Sequence, residues 1–242
     1  MAPKGETGFL IGGINLNSLR NRLKTRILVV AASLAFTLWV FIEVAEEVWE
    51  GEAGVFDRSI LLSLHTSSGP DNVLGPIWLQ AVARDVSALG SITVLGIIVA
   101  VVTLFLLLTG RRMIAMFLLL ASTSGGLATF LLKAVFNRPR PELFQHGDYV
   151  ISASFPSGHA MIAALVYLTL GALMAQVMPI RKLKVYVMTV MLALTVIIGA
   201  SRVYLGVHWP TDVLAGWFAG ASWALGWWII AEFYKVKSGS RV

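Results

Sequence analysis

The sequence predicts an all-α integral membrane protein of six transmembrane helices, with short amphipathic helices at the membrane interface between the first and second spans. Three observations predict it. The 242-residue chain is 57% hydrophobic and only 13% charged, whereas soluble domains carry about 25% charged residues. Six apolar runs approach the roughly 20 residues that cross a bilayer. The basic residues fall in short clusters between those runs, as membrane orientation requires, and not along one soluble face. The net charge of +6 is therefore assigned to orientation in a bilayer, and no nucleic-acid partner is expected. The chain has no cysteine, which excludes disulfides, thiolate metal sites and a cysteine nucleophile.

Residues 1–26 are polar and basic, ending in Arg20, Arg22, Lys24 and Arg26. The first span is Ile27–Phe41. It is long for a signal-peptide core, and the acidic stretch from Glu43 to Glu52 offers no clear small-residue cleavage site, so an uncleaved helix is expected. Residues 43–90 read as an outer interfacial segment. It opens on Glu43, Glu46, Glu47, Glu50, Glu52 and Asp57. Phe56, Ile60, Leu61 and Leu64 then recur at helical spacing, Ser67 to Asp71 forms a turn, and Trp78, Leu79 and Val82 continue an apolar face. His65 reads as a solvated or interfacial histidine.

The other spans are Ile92–Leu108, Met113–Leu132, Ala160–Met178, Val185–Ala200 and Val213–Ala231; the fifth is short, and Ser201 to Leu205 could extend it. None of the six runs contains Asp, Glu, Lys, Arg or His, which argues against an ion-coupled transporter. Ser122, Ser124, Gly125 and Gly126 in the third span, and Gly216 and Gly220 in the sixth, are read as sites of close helix approach. Trp209, Trp217, Trp223, Trp227 and Trp228 are read as span or interface residues. The whole chain, 1–242, is one membrane domain in this reading.

Thirteen of the 19 Lys and Arg residues fall on one face: Lys4 to Arg26, Arg111–Arg112, Arg181 to Lys184, and Lys235 to Arg241. The positive-inside rule makes that face cytoplasmic, with both termini on it. Three polar stretches then share the outer face. They are Lys133–Pro141, Ser154–Ala160 and Ser201–Asp212.

Each stretch has a physical use. Pro156 has a φ suited to the first turn of a helix and lacks the N–H left unbonded there. The free amides and the dipole of such a start favour an anion. Ser157 adds a hydroxyl, Gly158 admits a ligand close to the backbone, and His159 titrates near neutral pH. A phosphoryl group in transfer carries charge on three oxygens, so positioning and charge stabilisation dominate its catalysis. Lys133, Arg140 and Arg202 supply three cations. Of His159 and His208, one can attack phosphorus and the other protonate the departing oxygen. Asp212 lies four residues after His208, in the first turn of a helix started by Pro210, within reach of the imidazole. The set requires no metal and no other cofactor, and its Arg and Lys residues would repel a cation.

Lys133-x6-Arg140-Pro141, Pro156-Ser157-Gly158-His159 and Ser201-Arg202-x5-His208-x3-Asp212 together resemble the three-part signature of the type 2 phosphatidic acid phosphatase superfamily. That family includes bacterial phosphatidylglycerophosphate phosphatase B-like enzymes and, more remotely, the vanadium haloperoxidases. The signature spans residues 133–212. The resemblance implies a metal-independent lipid phosphatase in which His208 forms a phosphohistidine, Asp212 orients it and His159 is the general acid. It implies a phosphate site of Lys133, Arg140, Ser157, Gly158 and Arg202. Arg138 and His146 lie outside the strict signature; Arg138 reads as a headgroup contact or a surface charge, His146 as a loop residue.

The expected substrate is a lipid phosphate whose tail stays in the bilayer: an isoprenyl pyrophosphate, phosphatidylglycerophosphate, phosphatidic acid or a lipid A phosphate. Phosphotransfer to another acceptor is the nearest alternative, and a non-enzymatic transporter or scaffold a distant one. A bacterial inner membrane, with the site facing the periplasm or exterior, suits the layout.

Overall fold

A computed structural model describes residues 10–11, 14–65, 73–141 and 152–238. Lys4, the turn at Ser67 to Asp71, His146 and Arg241 lie outside the described residues. A two-residue hairpin, β1 (Leu10–Ile11) with β2 (Ile14–Asn15), precedes the helices and pairs antiparallel. With an isolated bridge between His65 and Val73, it is the departure from the all-helical expectation among the described residues. Eight helices follow: α1 (Leu16–Glu50), α2 (Gly54–Ser63), α3 (Ile77–Ala88), α4 (Ile92–Leu108), α5 (Arg112–Phe136), α6 (Gly158–Val177), α7 (Arg181–Tyr204) and α8 (Pro210–Ser238).

Five of these, α1, α5, α6, α7 and α8, are long and apolar enough to cross a membrane; α3 and α4 would make a sixth as one bent span. The expected second span, α4 alone, has only 17 residues. At about 1.5 Å per residue that falls short of a hydrocarbon core of about 30 Å. Helix α3 precedes it across a short break and is inclined to it by 45°. Helix α1 continues to Glu50, past the end of its apolar run at Phe41, so Glu43, Glu46 and Glu47 lie on the same helix as the first span.

Helix α6 is the centre of the bundle, packed against α4, α5, α7 and α8. Its buried residues, from Ala160 through Met161, Leu165 and Tyr167 to Gly171, face every direction, as an apolar helix surrounded by others must. Leu95 and Leu106 of α4, Leu118 of α5 and Ile198 of α7 close on Ala163, Val166 and Leu170. Helix α1 packs against α8, while Leu28, Val29, Phe36 and Trp39 remain exposed, in the pattern of a helix bathed in lipid.

Small residues set the spacing. A Cβ on Gly220 would stand under 3.0 Å from the Met161 carbonyl oxygen, and one on Gly216 would meet that of Ser157 at 2.8 Å. These glycines press α8 against α6, as expected of a small-xxx-small pair. Gly125 faces Leu165 with equally little room. Ser124 does something else: its Oγ accepts the indole N–H groups of Trp223 at 3.0 Å and Trp227 at 3.1 Å. On α3 the buried face is Ala83 and Ser87, while Trp78 and Val82 are exposed, the side an amphipathic helix gives to a membrane. In the interfacial segment one expectation, a solvated His65, is corrected. His65 is buried, with its Nδ1 2.8 Å from the Leu61 carbonyl oxygen.

Candidate active site

Four helix ends meet at one end of the bundle. The C-terminal turns of α5 and α7 carry Lys133 and Arg202; the N-terminal turns of α6 and α8 carry Gly158, His159 and Asp212. His208 sits in the turn between α7 and α8. The N-terminus of α6 directs its first-turn amides and positive dipole end into the region, which therefore favours an anion, whereas the first-turn amides of α8 are taken by Asp57 and the Trp209 carbonyl.

The approach to the site is set by Asn137. It closes α5 in a left-handed conformation at φ 40°, with its N–H on the Lys133 carbonyl at 3.0 Å, a conformation asparagine adopts more readily than most residues. The chain then turns so that Arg138 and Arg140 both reach inward. Residues 152–154 run beside them: Ser154 N–H donates to the Arg138 carbonyl at 2.8 Å, and Arg140 Nε donates to the Ser152 carbonyl at 2.9 Å. Lys133 Nζ donates to the Ala153 carbonyl.

Pro156 does not open α6. The Phe155–Pro156 peptide is cis, Ser157 is the N-cap, and the helix begins at Gly158. The reason is tertiary: the Ser157 N–H bonds the Asp212 carbonyl at 2.9 Å, which ties the cap residue to α8. The Ser157 side chain makes no capping bond, and its buried Oγ has no partner among the described residues. A buried hydroxyl left in that condition is costly and is suited to a ligand oxygen. Gly158 adjoins it; among the described residues a Cβ there would meet only Lys133 Cε and Thr129 Cγ2, both at 3.6 Å.

His208 is 1% exposed, and its tautomer follows from its neighbours. Arg140 Nη1 lies 3.1 Å from Nε2. A guanidinium only donates, so Nε2 is the acceptor and the proton is on Nδ1. On that side Nδ1 faces Ser154 Oγ at 3.3 Å and Asp212 Oδ2 at 3.4 Å. Burial, with Arg140 and Arg202 behind it, pushes the imidazole down to about 3 from its ordinary 6.5, against the opposing pull of Asp212. The ring is thus neutral at physiological pH, its lone pair aimed toward the cations.

Asp212 is fully buried. Its Oδ2 also accepts from Ser154 Oγ and from the Trp209 N–H at 3.0 Å, and its Oδ1 from Arg138 Nη1 at 2.7 Å. Half-buried His159 lies in the field of Arg202, Arg140 and Lys133. Arg202 Nη1 donates to Ser87 Oγ of α3 at 2.7 Å. Among the described residues no group of three His, Asp or Glu side chains is arranged to hold a metal ion.

The family model of the PAP2 superfamily matches residues 113–235, from the start of α5 almost to the end of α8. The chain belongs to the PAP2 superfamily. It is an integral membrane phosphatase. Among its PAP2 relatives, phosphatidylglycerophosphatase B of Bacillus subtilis is 33% identical over 146 residues, 59% of this chain and 70% of that one. An undecaprenyl-diphosphatase of Sulfolobus acidocaldarius is 36% identical over 96 residues, 38% of this chain and 42% of its own. The crystal structure of a transmembrane PAP2-type phosphatidylglycerolphosphate phosphatase from Bacillus subtilis has the same fold. It aligns with a TM-score of 0.67 at 24% identity, covering 86% of this chain and 96% of that chain.

Two residues of this PAP2 site escaped the sequence reading. Ser154 was only the edge of a motif, yet its hydroxyl lies between His208 and Asp212. Arg138 is not a surface charge. It is 14% exposed and bridges Asp212 and Asp57 at 2.7 Å each, and its guanidinium lies 5.5 Å from the Trp209 ring centre. Trp209 in turn donates its indole N–H to the Pro139 carbonyl at 3.0 Å, which makes it a strut of the site as much as an interface residue. The doubled Arg-Pro of residues 138–141 was the available signal.

Proposed function

We propose that this protein is a metal-independent lipid phosphatase working through a phosphohistidine on His208. One observation carries the reading: the His208 Nε2 lone pair faces the Arg140 guanidinium, while Nδ1 is turned to Ser154 and Asp212. A nucleophile needs this tautomer and this direction. Lys133, Arg140 and Arg202, with the Ser157 hydroxyl and the amide at Gly158, hold the phosphoryl oxygens. Nε2 attacks phosphorus, the bond to the leaving oxygen breaks, and His159 gives that oxygen its proton. His159 then takes a proton from water as the water attacks the phosphohistidine, which releases phosphate and restores the imidazole. Asp212 stabilises the positive charge that His208 carries between the two steps.

The substrate class is a lipid monophosphate or diphosphate. The names of the relatives support phosphatidylglycerophosphate or an isoprenyl diphosphate, and the site's location at helix ends suits a headgroup whose tail stays in the bilayer. The basic clusters support a cytoplasmic placement of the opposite end of the bundle, with the site facing the periplasm or exterior of a bacterial inner membrane.

The test is phosphate release by purified protein from phosphatidylglycerophosphate, an isoprenyl diphosphate, phosphatidic acid and a lipid A phosphate, in chelator. The wild type cleaves at least one of them. His208→Ala loses at least about 1,000-fold in kcat, the scale seen when a covalent nucleophile is removed. A variant that retains full activity removes His208 from the mechanism.

A further inference from the structure

None of the three motifs includes α2, yet α2 reaches the catalytic pair. Asp57, in its first turn, is completely buried. Its Oδ1 accepts the Thr211 backbone N–H at 2.9 Å, and its Oδ2 accepts the Thr211 hydroxyl at 2.6 Å and Arg138 Nη2 at 2.7 Å. The other terminal nitrogen of that guanidinium, Nη1, donates to Asp212 Oδ1 at 2.7 Å and to Thr211 Oγ1 at 2.9 Å. Thr211 N–H is one of the first-turn amides of α8 that no residue inside the helix can satisfy. Asp57 caps it from a different helix and holds the guanidinium beside it at the same time.

We propose that Asp57 is a positioning residue for the His208–Asp212 pair. A guanidinium beside a single carboxylate readily takes both of its oxygens. Here its two terminal nitrogens are divided between two carboxylates, so Asp212 is engaged through Oδ1. Oδ2 is left to His208, Ser154 and the Trp209 amide. Asp57 thereby keeps the oxygen that orients the imidazole out of the arginine's grip, and pins the helix turn on which Asp212 stands. Without Asp57, Arg138 turns onto Oδ2 and draws the carboxylate away from Nδ1. The consequence falls on the step in which His208 becomes charged, since Lys133, Arg140 and Arg202 are not part of the clasp. The segment between the first two apolar runs is then part of the catalytic apparatus.

This inference rests on the reading of His208 as the nucleophile, and the experiment separates the two. Asp57→Asn preserves shape and can still accept the Thr211 N–H through its amide oxygen. It loses the charge and one of the two oxygens of the clasp. Measured on purified full-length protein with the lipid that the wild type cleaves best, it is expected to lower kcat about 10- to 100-fold, the scale of a small misplacement of a reacting group. KM stays close to wild type, while the melting temperature in detergent falls, because Arg138 loses a buried partner. His208→Ala is run beside it. An inactive His208→Ala with a wild-type kcat in Asp57→Asn overturns the positioning role alone, as does a change confined to KM. An active His208→Ala overturns the reading beneath it. If Asp57→Asn gives no folded protein, Arg138→Lys carries the test: it keeps the charge but cannot divide two nitrogens between two carboxylates. The same loss of kcat supports the clasp, and a wild-type kcat overturns it.

Discussion

His208 shows how burial and charge select one protonation state. Buried and faced by Arg140 and Arg202, the imidazole is neutral far below its ordinary pKa. The folded protein holds this proton only near pH 3, whereas the unfolded chain takes it up near 6.5. The contribution is therefore fully present above pH 6.5 and is lost as pH falls from there toward 3. Denaturation midpoints at about pH 7 and about pH 4 should differ less in His208→Gln than in the wild type. Equal differences would mean that His208 does not titrate in this way. Gly158 gives a second test. Within the protein a Cβ there makes only ordinary contacts, at 3.6 Å, so Gly158→Ala should melt like the wild type. If phosphate sits against this backbone, kcat/KM should fall about 10- to 100-fold through displacement of the bound group. Wild-type kinetics would leave Gly158 outside the phosphate site.

At the scale of the element, α6 and α8 lie as close as they do because glycines line their contact. Gly220→Ala puts a carbon under 3.0 Å from the Met161 carbonyl oxygen, which should cost about 1–3 kcal/mol through overpacking. A Cβ on Gly226, on the same helix, would meet nothing within 4 Å. Gly226→Ala should therefore leave the melting temperature unchanged or raise it slightly, because alanine favours a helix. Comparable losses in both variants would mean that the close approach is not at Gly220. The apolar runs were legible for α5, α6, α7 and α8, since each is bounded by charge, Pro or Gly. Helix α1 was legible in its centre only, because hydropathy stops at Phe41 while the backbone hydrogen bonding continues. On helix α3 the spacing of Trp78 and Val82 marked an apolar face, but nothing local marked Ala83 and Ser87 as the side that packs on a neighbouring helix.

At the scale of the molecule, the three motifs converge because four helices end at the same level. The orientation of that end is testable without background labelling, since the chain has no cysteine. Ser152→Cys and Lys182→Cys, made singly, place one thiol at each end of the bundle. A membrane-impermeant maleimide added to intact spheroplasts should label the first and spare the second. The reverse pattern would invert the bundle.

The sequence by itself determined the class of chemistry. Lys133, Arg140, Ser157, Gly158, His159, Arg202, His208 and Asp212 were legible as candidates because phosphate chemistry demands those residue types, and their spacings mark helix ends. It also determined most of the membrane helices, because the bilayer imposes length and composition directly on the chain. Only the tertiary structure decided that Pro156 stands before the helix and not in it, that Ser154 lies between His208 and Asp212, and that Asp57 and Arg138 form a buried clasp. Those facts depend on contacts between residues far apart in the chain, Asp57 with Thr211 and Ser157 with Asp212, whose partners no local pattern specifies. A buried carboxylate and an exposed one look alike in sequence until the helix that covers one of them is in position.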